Sequence, residues 1–143
     1  MSNNLKHEKM KNDFNKNDGG RSIYHRCDRK MDVAGDCVIR AIAIGLKMDY
    51  MDVKKQLFAR AIENGFMPNS EKTYEPFLLE HGWIKKSPMK NSKNRKFQLG
   101  MMPVQCDMIV RMSKHLVAVV DGVVNDTWDC REWCANSYFI KQN

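Results

Sequence analysis

The chain has 143 residues and a mass of 16.7 kDa, a size that suits one domain with its own core. Hydrophobic residues make up 43%, but no run of about 18 uncharged apolar residues occurs, and the first thirty residues lack the apolar centre of a signal peptide. We therefore expect no membrane span, a cytoplasmic location, and five cysteines that are thiols rather than a disulfide framework.

The net charge of +7 is concentrated in two segments. Residues 1–30 carry eight Lys/Arg against four acidic residues, and residues 85–96 carry six basic residues and no acid. The segments that look folded are close to neutral, so the pattern favours a solvated basic surface. Nucleic acid stays open as a partner, but the charge distribution does not favour it.

The first part of the chain predicts a tail followed by helices. Residues 1–20 are mostly Asn, Lys and Asp with isolated apolar residues, which is typical of a flexible basic arm ahead of a single domain, 21–143. The stretch 38–46 is apolar nearly all the way round as a helix, as a buried helix would be, and Asp36 is a plausible N-cap. An amphipathic helix follows over about 52–64.

A shorter helix and several strands complete the pattern. Ser70 or Thr73 is expected to cap a helix that has Pro76 in its first turn. Its buried residues are expected to be Phe77, Leu78 and Leu79. Strands are predicted from Trp83 and over 108–112, 115–120, 123–127 and 137–141. The turn Asp121-Gly122 indicates a hairpin, and helices followed by antiparallel strands predict an α+β domain.

Cys37 is a candidate nucleophile because it lies where the buried helix begins. Unpaired N–H groups and the partial positive charge of a helix N-terminus favour a thiolate over a thiol. The structural alternative is that Cys37 packs as a small apolar residue in the core.

His115 and Asp126 are brought together by the predicted hairpin. A two-residue turn pairs Val117 with Asp126 and His115 with Trp128, so these four side chains share one face and Asp126 lies diagonally from His115. A carboxylate in that position can orient an imidazole. Cysteine, base and orienting acid together match the requirements of nucleophilic catalysis.

These residues resemble the papain-like cysteine peptidases in a compact form. The matching stretches are Gly35-Asp36-Cys37, then His115-Leu-Val-Ala-Val-Val-Asp-Gly122, then Asp126-Thr-Trp128, and finally Ser137-Tyr-Phe-Ile140. Their order is that of the family, and the resemblance covers about 105 residues. Bacteriocin-processing relatives of that clan likewise carry Asp-Cys before the helix and Asp as the third member.

The resemblance implies a cysteine hydrolase that forms a thioester and acts on a peptide or protein without a cofactor. Cys37 would be the nucleophile, His115 the general base and acid, and Asp126 the residue that orients His115, with Trp128 shielding that contact. The family usually has a glutamine six residues before the cysteine as an oxyanion donor, where this chain has Met31. Arg29, Arg40 and Tyr24 are the candidate replacements for that donor.

Two other interpretations remain open from the sequence. A zinc site would draw on Cys130 and Cys134 with His25 and Cys27, although this spacing is looser than that of a zinc finger. A binding or regulatory protein on the same fold would use the charged arm to contact an acidic protein or nucleic acid. Small size and an Asn/Lys-rich arm would suit a phage-encoded protein. The basic loop 85–96 would border the cleft if this loop helps to select an acidic substrate or partner.

Overall fold

The computed structural model describes residues 10–25 and 35–143, and these residues form a mixed α+β domain. This confirms the prediction of an α+β domain. The helices are α1 (Arg21–Tyr24), α2 (Cys37–Leu46), α3 (Tyr50–Asn64) and α4 (Glu71–Glu80), with a 3-10 turn at Leu99–Met101. The strands are β1 (Asp13–Lys16), β2 (Trp83–Lys86), β3 (Met108–Met112), β4 (His115–Val120), β5 (Val123–Asp126) and β6 (Tyr138–Lys141). Within the described ranges, every helix falls short of the length and apolarity needed to cross a bilayer.

The described strands form one sheet in the order β1-β5-β4-β3-β6-β2. The C-terminal strands pair antiparallel, as the sequence predicts, and Val120 pairs with Val123 across the Asp121-Gly122 turn. Both turn residues have positive φ, 53° and 75°, which is the geometry of a type I′ turn and matches the twist of the two strands. The turn therefore fixes the register of β4 against β5.

The prediction of a flexible arm over 1–20 is wrong for its described part. Residues 13–16 form β1, which pairs parallel with β5 and makes the sheet mixed rather than antiparallel. The buried Asn12 amide donates to the carbonyl oxygens of Leu99 at 2.8 Å and Met102 at 3.0 Å, and the Asn15 amide donates to the Asn125 side chain at 3.0 Å. Asparagine side chains here satisfy buried backbone and cross-strand partners, so a polar composition is compatible with order. Residues 1–9 lie outside the described ranges.

The first residues of α3 and α4 are set by the capping side chain that precedes each helix. The Asp49 carboxylate accepts from the N–H groups of Met51 and Asp52, so α3 begins at Tyr50, two residues before the predicted start. Ser70 is the cap of α4, which places Pro76 inside that helix rather than in its first turn. Leu79, expected to be buried, is 64% exposed because it lies on the outer face of α4.

Helix α2 packs against the sheet through a close contact at its C-terminal end. The buried Gly45 lies against Ile109 of β3, and a Cβ atom at position 45 would come within 2.8 Å of Ile109 Cγ1. One core cluster fills the space between the helices and the sheet, and a second packs on the other face around Leu99, Met102 and Val117. This packing sets the position of α2, and hence of Cys37, relative to β4.

Candidate active site

Cys37 is the first residue of α2 and is half-buried at the edge of the helix-side core. Burial alone would raise the pKa of its thiol. That effect is outweighed by hydrogen bonds from the His115 ring and the Leu116 backbone N–H, and by the charges of His115 and Arg40, so the pKa of Cys37 is lowered. The position therefore favours the thiolate, as expected for a nucleophile.

His115 and Asp126 are in direct contact, as the hairpin register predicts. His115 is the first residue of β4, Asp126 is the last of β5, and the imidazole Nε2 lies 2.5 Å from Asp126 Oδ2. The His115 side chain is 9% exposed and that of Asp126 3%. Because Nε2 is occupied by the carboxylate, Nδ1 is the ring nitrogen left to exchange a proton with Cys37.

The Asp126 carboxylate is held in its charged form. Burial raises its pKa, but the His115 hydrogen bond and charge, the Thr127 N–H at 2.7 Å and the Arg40 charge together lower it. In turn, burial lowers the pKa of His115, and hydrogen bonds to Asp126, Cys130 and Cys37 outweigh this and raise it to about 11. At neutral pH the raised pKa keeps His115 as an imidazolium beside the Asp126 carboxylate, and this positive charge favours ionisation of Cys37.

Trp128 packs beside the ring of His115. Its ring centroid lies 5.2 Å from that of His115, and Trp133 packs edge-on against it at 5.0 Å. The predicted strand pairing of His115 with Trp128 is not formed, because β5 ends at Asp126, but the two rings are neighbours. The position of Trp133 cannot be predicted from the local sequence, because this residue follows a non-regular loop.

Asp36 occupies the N-cap position of α2, but its side chain does not cap the helix. Its carboxylate instead accepts from Arg40, from Arg21 at 3.0 Å and from the Tyr50 hydroxyl at 2.7 Å. Two guanidinium groups therefore offset the negative charge of Asp36 beside Cys37. Tyr50 is the third donor to Asp36, and burial and the Asp36 carboxylate raise the pKa of its hydroxyl.

Arg40 connects the two halves of the site. It lies one helical turn after Asp36, is 5% exposed, and places Nη2 3.3 Å from Asp126 Oδ1. Arg40 is therefore committed to two carboxylates, and Tyr24 donates to Asp49 at 2.5 Å. Arg29, the third candidate oxyanion donor, and Met31, at the position of the family's glutamine, lie outside the described residues.

The sequence interpretation considered Cys130 as a zinc ligand and missed its contact with Asp126. It is fully buried, and its Sγ donates to Asp126 Oδ2 at 3.4 Å. Burial is the first cause that raises the pKa of Cys130, and the Asp126 charge adds to it, so this thiol stays protonated. The only signal in the sequence was its spacing of four residues from Asp126.

The predicted zinc set is not assembled by the described residues. His25 accepts from Lys54 Nζ at 3.0 Å, Cys134 is exposed, and Cys27 lies outside the described ranges. Across 10–25 and 35–143, the one group of three potential metal ligands comprises His115, Asp126 and Cys130, whose ligand atoms lie within 4.8 Å of one another. These atoms already hydrogen-bond to one another, which is the arrangement of a buried polar network.

A cleft runs past Cys37 and His115 on both sides. One side is a cavity of about 620 Å³ bounded by α4 and the β3–β4 turn, and the other is a cavity of about 840 Å³ bounded by β1 and the loop at Trp128. Both include Cys37, Lys114 and His115 in their walls, whereas residues 85–96 contribute to neither. The larger cavity also contains Asn17 and Arg21, polar side chains near Cys37 that the sequence pattern does not identify.

The arrangement has the components of acyl-transfer chemistry: a thiol of lowered pKa, an imidazole with one nitrogen free, and a buried carboxylate that orients the ring. Comparison of the chain with protein-family models, with curated proteins and with solved structures finds no significant match.

Proposed function

We propose that this protein is a cysteine hydrolase with a compact papain-like fold, which cleaves an amide or related acyl bond through Cys37, His115 and Asp126. The observation that carries the proposal is the contact between His115 and Asp126 at 2.5 Å in a cleft that also contains Cys37 at a helix N-terminus. The proposed catalytic domain, 21–143, is extended by residues 10–20, because β1 supports the strand that carries Asp126.

In the first half-reaction, the Cys37 thiolate attacks the acyl carbon and a C–S bond forms. The electron pair of the carbonyl π bond moves to the oxygen, which becomes an oxyanion. The Cys37 backbone N–H at the start of α2 is the proposed donor to that oxygen. Collapse of the intermediate breaks the bond to the leaving group, which takes the proton from His115 Nδ1. A thioester on Cys37 and a neutral imidazole remain.

In the second half-reaction, His115 Nδ1 accepts a proton from water and the hydroxide attacks the thioester. The Cys37 thiolate leaves, and the acid product is released. Acylation removes the negative charge of Cys37, which helps to raise the pKa of His115 in the resting state, so the neutral imidazole is a usable base at this stage. Asp126 keeps the ring oriented throughout, through Nε2.

A catalytic thiol has to stay reduced, so the proposal includes a reducing, cytoplasmic environment. The substrate is proposed to be a peptide or protein. An acyltransferase would use the same first half-reaction and pass the thioester to an amine instead of water.

The experiment uses p-nitrophenyl acetate as a generic acyl donor. We expect a rapid burst of about one p-nitrophenolate per chain, followed by slower turnover, with the acetyl group located on the Cys37 peptide by mass spectrometry. The Cys37→Ala variant should lose the burst, while Cys106→Ser, which removes an exposed thiol outside the cleft, should retain it. Acetylation of Cys106 or Cys134 as fast as Cys37, with no burst, would contradict the proposal.

A further inference from the structure

Three exposed lysines surround Cys37 in the cleft. Lys16 ends β1 on one side, Lys72 lies in the first turn of α4 on the other side, and Lys114 is in the β3–β4 turn directly before His115 and borders both cavities. They come from three separate elements of the fold. Their convergence around one sulfur is a property of the tertiary structure and is not visible as a charge run in the sequence.

The other charged residues of the cleft are engaged with partners. Arg21 and Arg40 pair with Asp36, and Arg111 pairs with Glu71 at 2.5 Å. The Asp18 carboxylate accepts from the backbone N–H groups of Gly20 and Ser22, both at 3.0 Å. Among the described residues, no acidic partner lies within ion-pair distance of Lys16, Lys72 or Lys114.

We propose that the cleft selects an acidic peptide, with Lys72 and Lys114 facing carboxylates on one side of the scissile bond and Lys16 and Lys114 facing carboxylates on the other. This inference rests on Cys37 being the nucleophile. The two cavities meet at Cys37, so an extended chain lying across the sulfur passes a cation in each direction. The basic loop 85–96 takes no part, because it lies outside both cavity walls.

The three lysines are exposed, so solvent reduces the strength of their interaction with a bound carboxylate. Individual exposed ion pairs contribute about 0.2–1 kcal/mol, which corresponds to about 1.4- to 5-fold in rate or affinity for each lysine. Charges of the same sign around one cleft also concentrate anionic ligands there. The preference is therefore expected to weaken as salt shortens the Debye length from about 10 Å at 0.1 M.

The experiment compares anionic and neutral electrophiles that react with the same sulfur. Iodoacetamide measures the reactivity of the Cys37 thiolate, and the ratio of the iodoacetate rate to the iodoacetamide rate measures the local field. We expect this ratio to exceed that of free cysteine by about fivefold at low salt and to fall about tenfold in Lys114→Glu, where two charge units change. Lys72→Glu and Lys16→Glu should each lower it as well.

Lys47→Glu is the matched control. Lys47 is exposed, has a left-handed backbone like Lys114 (φ 57° and 53°), and follows the far end of α2, about 15 Å of helix away from Cys37. Its substitution should leave the ratio within about twofold of the wild-type value.

A second pair of probes tests the peptide itself. The tripeptide chloromethyl ketones Glu-Glu-Ala and Gln-Gln-Ala are nearly isosteric, and the acidic one should label Cys37 faster in wild type but not in Lys114→Glu. Equal ratios in wild type and in all three glutamate variants, or faster labelling by the glutamine probe, would overturn the acidic-peptide inference. Failure of iodoacetamide to single out Cys37 would instead overturn the proposed nucleophile.

Discussion

Arg40 and Asp126 are 86 residues apart in sequence, and their side chains meet inside the domain at 3.3 Å. This contact joins the helix that carries Cys37 to the strand that carries the acid of the site. Arg40 also pairs with Asp36, so a single guanidinium contacts two buried carboxylates.

Replacing Arg40 with Met is expected to destabilise the protein by about 3–5 kcal/mol, because Asp36 and Asp126 would lose a buried counter-ion. Urea unfolding measures the loss. Lys85→Met, which removes an exposed pair with Glu75, should cost about 1 kcal/mol or less. Equal losses in the free energy of unfolding for the two variants would show that burial of the Arg40 ion pairs does not increase their contribution to stability.

Replacing Asp126 with Asn is expected to lower the pKa of His115 from about 11 toward the ordinary value of 6.5 and to raise that of Cys37. The carboxylate stabilises the imidazolium, and the imidazolium in turn stabilises the thiolate. NMR titration of the His115 ring and the pH profile of Cys37 alkylation measure the two changes. Asp121→Asn, in the same hairpin but exposed at the turn, should change neither value.

The pKa shifts of His115 and Asp126 predict how the stability of the protein depends on pH. The folded pKa of His115 is raised, so the stabilisation that it contributes is fully present below about 6.5 and is lost as pH rises through about 11. The folded pKa of Asp126 is lowered, so its contribution is present above 3.8 and is lost as pH falls through the folded value. The stability difference between wild type and Asp126→Asn should therefore be largest between pH 3.8 and 6.5 and should shrink at alkaline pH. A difference that grows from pH 7 to 10 would contradict the coupling.

Replacing Cys130 with Ala is expected to slow acylation of Cys37 by about fivefold, because Asp126 loses a donor and His115 becomes less well oriented. Cys130→Ser keeps a donor at that position and should recover most of the rate. Cys134→Ser, at an exposed thiol four residues further on, serves as the control. The rate of the p-nitrophenyl acetate burst measures acylation. A shift in the pH profile of that rate in Cys130→Ala would indicate a change at His115, whereas a general loss of folding would lower the rate without shifting the profile.

Replacing Gly45 with Ala is expected to destabilise the protein by about 1–3 kcal/mol, although alanine normally favours a helix over glycine by about 1 kcal/mol. The new Cβ would lie 2.8 Å from Ile109 Cγ1, so α2 would have to move away from β3. Thermal or urea unfolding measures the loss. The double variant with Ile109→Ala makes room for the Cβ, so its destabilisation should be clearly smaller than the sum of the two single changes.

The site could be predicted from sequence where local geometry fixes it. The two-residue turn Asp121-Gly122 sets the register of β4 and β5, and Asp126 at the end of β5 contacts His115 as this register predicts. Trp128 lies beyond the end of β5, and its ring is nevertheless next to that of His115. The apolar run after Cys37 likewise identifies a buried helix and its start.

The remaining features depend on tertiary contacts that leave no periodic signal. Strand β1 contains one partly buried apolar residue, Phe14, and its asparagines look like those of a tail until their partners on β5 and near Leu99 are known. Cys130 reaches Asp126 through a non-regular loop, and Asp36 uses its carboxylate for Arg40 rather than for the helix N–H groups. Capping rules and strand alternation do not describe these side-chain hydrogen bonds.

Strand β1 also determines what cleavage near the N-terminus would do. The Asn17 N–H donates to the Asp126 carbonyl oxygen at 2.8 Å, and Lys16 is the register partner of Asp126. Removal of the residues up to Gly20 by a protease would leave β5, the strand that carries Asp126, as an uncovered edge. N-terminal processing of this molecule would therefore abolish the proposed activity instead of releasing it from a zymogen.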